Sequence, residues 1–145
     1  MEYACSVWDP NLKEHINNLE KIQRRAARFV TNTYDYKTNC NEILKDLNWK
    51  PLAERRAQTK VTNIFKARNN LLEIPLNHLV INQSNTRASS KGNYAVPRSK
   101  TNVHLHSFYP STVRLWNTIP GPTQNSTSLE SFNTNIQSLT YRCKY

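Results

Sequence analysis

The stretch from Leu12 to Val30, LKEHINNLEKIQRRAARFV, constrains this chain more than any other. Wound at helical spacing, Leu12, Ile16, Leu19, Ile22, Ala26, Phe29 and Val30 gather on one side, and Lys13, Lys21, Arg24, Arg25 and Arg28 on the other. The pattern predicts a helix that packs with its apolar side and meets anionic groups with its basic side. Asp9-Pro10 gives it a start signal, Asp as cap and Pro in the first turn, and it is expected to end near Thr31-Asn32. The preceding MEYACSVW is apolar on several sides and has no cap before it, so it reads as the end of a helix whose beginning is missing.

Two more helices follow, and the second of them repeats this design. One is expected from Asn39 to Leu47, with Asn39 as cap, Glu42 completing a capping box, and Asn48 taking a left-handed turn at its end. Cys40, Ile43, Leu44 and Leu47 form its apolar side. The next is expected from Pro51 to Asn70, burying Ala53, Ala57, Val61, Ile64, Phe65 and Leu72 and exposing Arg55, Arg56, Lys60 and Lys66, with Arg68 a misfit inside the apolar arc. Beyond Ile74-Pro75 the composition shifts. Asn82 to Lys91 is a polar run without hydrophobic period and reads as a loop. Tyr94 to Pro97 and Val103 to Phe108 alternate in character, and a short β-hairpin is expected there if anywhere. A short helix then runs from Tyr109-Pro110 to Ile119-Pro120, Gly121 to Thr127 is a linker, and Ser128 caps a last amphipathic helix carrying Leu129, Phe132, Ile136 and Leu139. The fold class is therefore mainly α, a small helical domain of amphipathic basic helices. Its parts are residues 1–75 (helical), 76–120 (basic loop, hairpin, short helix) and 121–145 (linker and last helix).

Charge narrows the function. The 145 residues hold 20 Lys+Arg against 10 Asp+Glu, a net +10, with an apolar share of only 37%. No acid lies between Glu73 and Glu130, while Arg87, Lys91, Arg98, Lys100 and Arg114 all do. Such an excess favours polyanions, RNA or DNA, as partners. The candidate contacts are Lys21, Arg24, Arg25 and Arg28 on one helix, Arg55, Arg56 and Lys60 on another, and the five cations of the acid-free stretch, because guanidinium forks match phosphate oxygens. Tyr94 is a candidate for stacking on a base. A solvated face that merely keeps the helices soluble would show the same cations.

Other chemistries find little support. Tyr34-Asp35-Tyr36 superficially suggests a polymerase metal site, but two-metal catalysis needs several converging carboxylates and the next Asp is Asp46. His104 and His106 lack the Cys and His partners of a zinc site. No nucleophile elbow, carboxylate pair or Gly-rich phosphate loop can be assembled, and only two glycines occur. Glu20 and Glu54 read as intrahelical partners of Arg24 and of the charges on the Lys60 side. Three scattered cysteines, with no secretory signal or membrane-length apolar run, point to an intracellular protein, nuclear or cytoplasmic, without cofactor or metal.

Four phrases in order carry a resemblance: Glu2 to Pro10 (EYACSVWDP), Leu19 to Val30 (LEKIQRRAARFV), Arg114 to Pro120 (RLWNTIP) and Ser128 to Phe132 (SLESF). Together they resemble the C-terminal tail of reverse transcriptases from non-LTR, LINE-like retrotransposons of the jockey and CR1 kind. The polymerase and endonuclease domains of that family have no counterpart here, so the resemblance implies a non-catalytic accessory segment that helps an RNA-directed DNA polymerase hold template RNA or target DNA. Lys21, Arg24, Arg25 and Arg28 match the family's basic helix, and Arg114 to Asn117 its Arg-Leu-Trp-Asn motif. Asn48 stands where a glycine is usual, and Asn133, Thr134 and Asn135 where lysines are common. The alternatives are a helical module that docks onto a reverse transcriptase core, or a remnant of a truncated element.

Overall fold

The computed structural model describes residues 4–35, 37–73, 75, 77, 79–81 and 93–139. Among these the protein is mainly α, with seven helices; the one extended pairing is an antiparallel bridge between Ile81 and Tyr94. None of the described helices is long and apolar enough to cross a membrane. Two compact units are present, one built on Met1–Arg56 and one on Ala57–Tyr141, and the division falls inside the third helix.

The first unit contains α1 (Lys13–Val30), α2 (Cys40–Asp46) and the start of α3 (Leu52–Arg68). Ala27 of α1 packs with Ile43 and Leu44 of α2, and Leu47 and Trp49 close over them. α1 begins after Leu12 without a side-chain cap, so Asp9 does not play the expected role. Residues 4–7 form a turn with Ala4 at φ 56°, not a helix end. α2 is capped as expected by Asn39, whose side chain accepts from the Asn41 N–H at 3.0 Å.

All three helices end the same way. Asn32, Asn48 and Asn70 hold φ of 51°, 52° and 55° just past their C-termini. The N–H of the following residue reaches back: Thr33 to the Arg28 carbonyl, Trp49 to Leu44, Leu71 to Lys66. These are Schellman closures, in which asparagine stands in for glycine because its short amide tolerates the left-handed region.

The second unit is organised around Trp116. Val61, Ile64 and Phe65 of α3, Val113, Trp116 and Ile119 from α5 (Phe108–Thr118) and its end, and Phe132 and Ile136 of α7 (Leu129–Gln137) form one core with Tyr94. Phe65 and Phe132 stack with centroids 3.9 Å apart, and Trp116 lies 6.0 Å from Phe132. Between α5 and α7 the expected linker contains a short helix, α6 (Gly121–Gln124). The buried Gln124 amide ties it back to the end of α5, donating to the carbonyl of Trp116 at 2.9 Å, which also accepts the Ile119 N–H, and to that of Ile119 at 3.1 Å. Ser128 caps α7 as expected, accepting from Ser131 N–H at 3.2 Å.

The β-hairpin is not formed. Residues Asn102–His106 are α4, started by the Thr101 hydroxyl accepting from the His104 N–H. A local cap outweighs the alternation that suggested a strand.

Candidate nucleic-acid interface

The azimuth of α1 differs from the one its apolar residues predict. Ile16, Gln23 and Ala27 are its buried line, while Phe29 is 74% exposed, Ile22 48%, and Leu12 and Val30 more than half. Two polar side chains set this orientation. Gln23 donates to the Lys50 carbonyl at 2.9 Å, and Glu20 accepts from the Ala53 N–H at 3.0 Å. Ala53 lies in the first turn of α3, where a helix leaves its amides open, so Glu20 acts as a distant cap. Glu20 therefore caps α3, whereas its spacing within α1 suggests pairing with Arg24. Glu54 pairs with Lys50 at 3.2 Å.

Swung this way, α1 keeps its basic face in solvent. Lys21, Arg24 and Arg25 are exposed, spaced three and four residues apart so that their side chains are neighbours, with Arg28 one turn on. No ion pair engages Lys21, Arg24 or Arg25 among the described residues. Lys21 makes only a long contact to Asn18 Oδ1, 3.5 Å. Arg28 is half-buried and its Nε donates to Cys40 Sγ at 3.0 Å, which tethers it beside α2. Like charges at this spacing oppose helix formation mildly, a cost that a polyanion laid along the face would relieve.

The second expected basic face does not exist. Arg56 is fully buried, its Nε donating to Asp9 Oδ1 at 2.8 Å, and its two terminal nitrogens have no hydrogen-bond acceptor among the described residues. Lys60 is buried as well, with Nζ 3.4 Å from Ser111 Oγ. Partners far along the chain draw both cations inward, leaving half-buried Arg55 as the accessible member of that trio.

Tyr94 is likewise no stacking platform. It is buried against Trp116 at 6.1 Å between centroids, and burial raises its phenol above the ordinary value while the charge of Arg68 pulls it back. In the acid-free stretch Arg98 and Lys100 are exposed. Arg114 is half-buried, with Nη1 3.4 Å from the Leu105 carbonyl. Arg87 and Lys91 lie outside the described residues. The Arg-Leu-Trp-Asn motif serves the core: Trp116 is fully buried, and Asn117 bonds the backbone of Tyr94.

His104 and His106 sit exposed on α4, and no group of three His, Cys, Asp or Glu side chains able to hold a metal occurs among the described residues. Comparison with family models, with curated proteins and with solved structures finds no match.

Proposed function

We propose that this chain is a non-catalytic accessory segment that binds RNA or DNA through the outward face of α1, and that it is the C-terminal region of a non-LTR retrotransposon reverse transcriptase. The observation that carries the binding reading is the placement of Lys21, Arg24 and Arg25, side by side, in solvent and without carboxylate partners among the described residues. A face of this kind gains from releasing the counterions of a polyanion. The ordered phrases EYACSVWDP, LEKIQRRAARFV, RLWNTIP and SLESF support the origin, and with it a reverse transcriptase core as partner and an intracellular site of action. Arg98 and Lys100 offer secondary contacts.

Titration of labelled single-stranded RNA and duplex DNA with the full chain at several salt concentrations tests the reading. Three phosphate contacts give a log–log slope of about −2 to −3. The variant with Lys21, Arg24 and Arg25 all changed to Ala should lose most of that slope while keeping its helical circular dichroism. Binding that ignores salt, or that survives this triple change, overturns it. An assay for polymerase or nuclease activity with Mg²⁺ should read blank.

A further inference from the structure

α1 presents three stripes, and the sequence explains only two of them by what they meet. Its inner line is buried, and its basic face suits a polyanion. Between them runs an apolar stripe, Leu19, Ile22, Ala26 and Phe29, of which Leu19 is half-buried and the other three are exposed. At its N-terminal end the stripe opens into a groove of about 530 Å³, whose apolar walls are Val7, Trp8, Pro10, Leu19 and Ile22. Leu19 and Ile22 belong to both, so groove and stripe are one surface. From Leu19 to Phe29 it runs about 15 Å, close to three helical turns. Scattered exposed apolar residues need no explanation, but a contiguous row of this length beside a groove marks a contact surface.

The rim decides what covers it. Arg25 stands one turn from both Ile22 and Phe29, Lys21 lies behind it, and Asn18 lines the groove below. The one carboxylate in the groove wall, Asp9, is engaged by Arg56. A second copy of this chain would set its own Arg25 and Lys21 against these, on molecules that each carry +10. A nucleic acid satisfies the cations and leaves the apolar row wet.

We propose that this surface docks an amphipathic helix of another protein, one whose leucine-type ridge fills the groove and stripe and whose flanking carboxylates meet Arg25 and Lys21. Such helix-in-groove recognition uses anchors at i, i+3 or i+4, and i+7 on the partner, with charge setting the orientation. The inference does not depend on the nucleic-acid reading. It requires the exposed apolar row, which that reading leaves unused.

A direct test uses the full chain and three labelled peptides of one length, read by fluorescence anisotropy. The first carries leucines at helical spacing flanked by glutamates, the second the same residues scrambled, the third the same leucines flanked by lysines. The first should bind in the micromolar range, and the other two at least about tenfold more weakly, a difference of about 1.4 kcal/mol. Ile22→Gln with Phe29→Gln should abolish binding of the first peptide while leaving helicity and RNA affinity unchanged, since both side chains are exposed and no charge is added beside Arg25. Equal binding of the scrambled peptide would mean mere polyanion attraction and overturn the proposal. So would indifference to the double change, preference for the lysine peptide, or a sedimenting dimer that the double change dissolves.

Discussion

Asn117 grips Tyr94 by both of its backbone groups. The Asn117 side-chain Nδ2 donates to the Tyr94 carbonyl at 2.9 Å, and its Oδ1 accepts from the Tyr94 N–H at 3.1 Å. The segment around Tyr94 has one bridge partner among the described residues, Ile81, and this amide does for it what a neighbouring strand would do. Asn117→Ala should therefore lower the stability of the second unit by about 1–3 kcal/mol, the usual cost of stranding buried polar groups. Asn117→Asp, which keeps the acceptor and loses the donor, should fall between. Urea unfolding followed by circular dichroism reads both, and a wild-type midpoint for the alanine variant would refute the clamp.

Arg56 and Asp9 form a pair buried enough that breaking it from one side is costly. Asp9→Ala leaves the guanidinium without its carboxylate, and should cost about 3–5 kcal/mol. Arg56→Met deprives the Asp9 carboxylate of that cation, but the Asp9 side chain keeps some solvent where the guanidinium has none, and methionine keeps much of the volume, so its cost should be smaller. The order of the two midpoints is the measurement; a larger loss for methionine would mean that shape and not charge governs the site.

Glu20 reaches from α1 to the first turn of α3. Glu20→Ala should destabilise by about 0.5–2 kcal/mol, as loss of a helix cap does, and Glu20→Gln should recover most of it because the acceptor oxygen remains. Denaturant midpoints of the two variants separate this cap from a purely charge-based role.

Tyr94 predicts an alkaline weakness. Its phenol is raised above the ordinary 10.0 by burial, against a smaller opposing pull from Arg68. The folded state therefore keeps a proton that the unfolded chain releases. The stability that this protonated group contributes is complete below pH 10 and declines as the pH climbs from there through the folded value. Tyr94→Phe should flatten that decline, as urea midpoints measured across the alkaline range would show.

Buried and exposed cations should part company in binding. In a chain that remains folded, Lys60→Met should change unfolding midpoints and leave the salt slope for RNA where it was. Arg24→Ala should do the reverse, with a slope smaller by about 0.7–0.9. If Lys60→Met flattens the slope, the buried position assigned to that lysine is wrong for the bound state.

Periodicity and caps were enough to locate most helices. α2 with its Asn39 cap, the left-handed Asn48, the end of α1 at Thr31-Asn32 and the Ser128 cap of α7 all rest on short-range chemistry and were legible. What was not legible depends on partners far along the chain. Arg56 looked like a surface cation because nothing near it announces Asp9, 47 residues away. Glu20 looked like a partner for Arg24 because its true acceptor role needs α3 beside it. The hairpin failed for a local reason: Val103 to His106 fits either period, and Thr101 tipped it toward a helix. The basic face of α1 was correctly composed from sequence, but which flank of it turned inward was not, since a buried glutamine defeats a rule that seeks the oiliest side.

Glu20 and Gln23 fasten α1 through directional bonds, which tolerate far less rotation than methyl groups sliding over one another. The angular setting of everything beyond Gln23 is thus dictated by two amino acids. One alanine inserted between Gln23 and Arg24 would turn the remainder by about 100°, setting Ala26 in the seat that Ala27 holds against α2 and carrying Arg25 and Arg28 to the places of Ala26 and Phe29 on the apolar stripe. The chain would still be helical, with every residue type retained, yet its outward chemistry would be that of a different molecule.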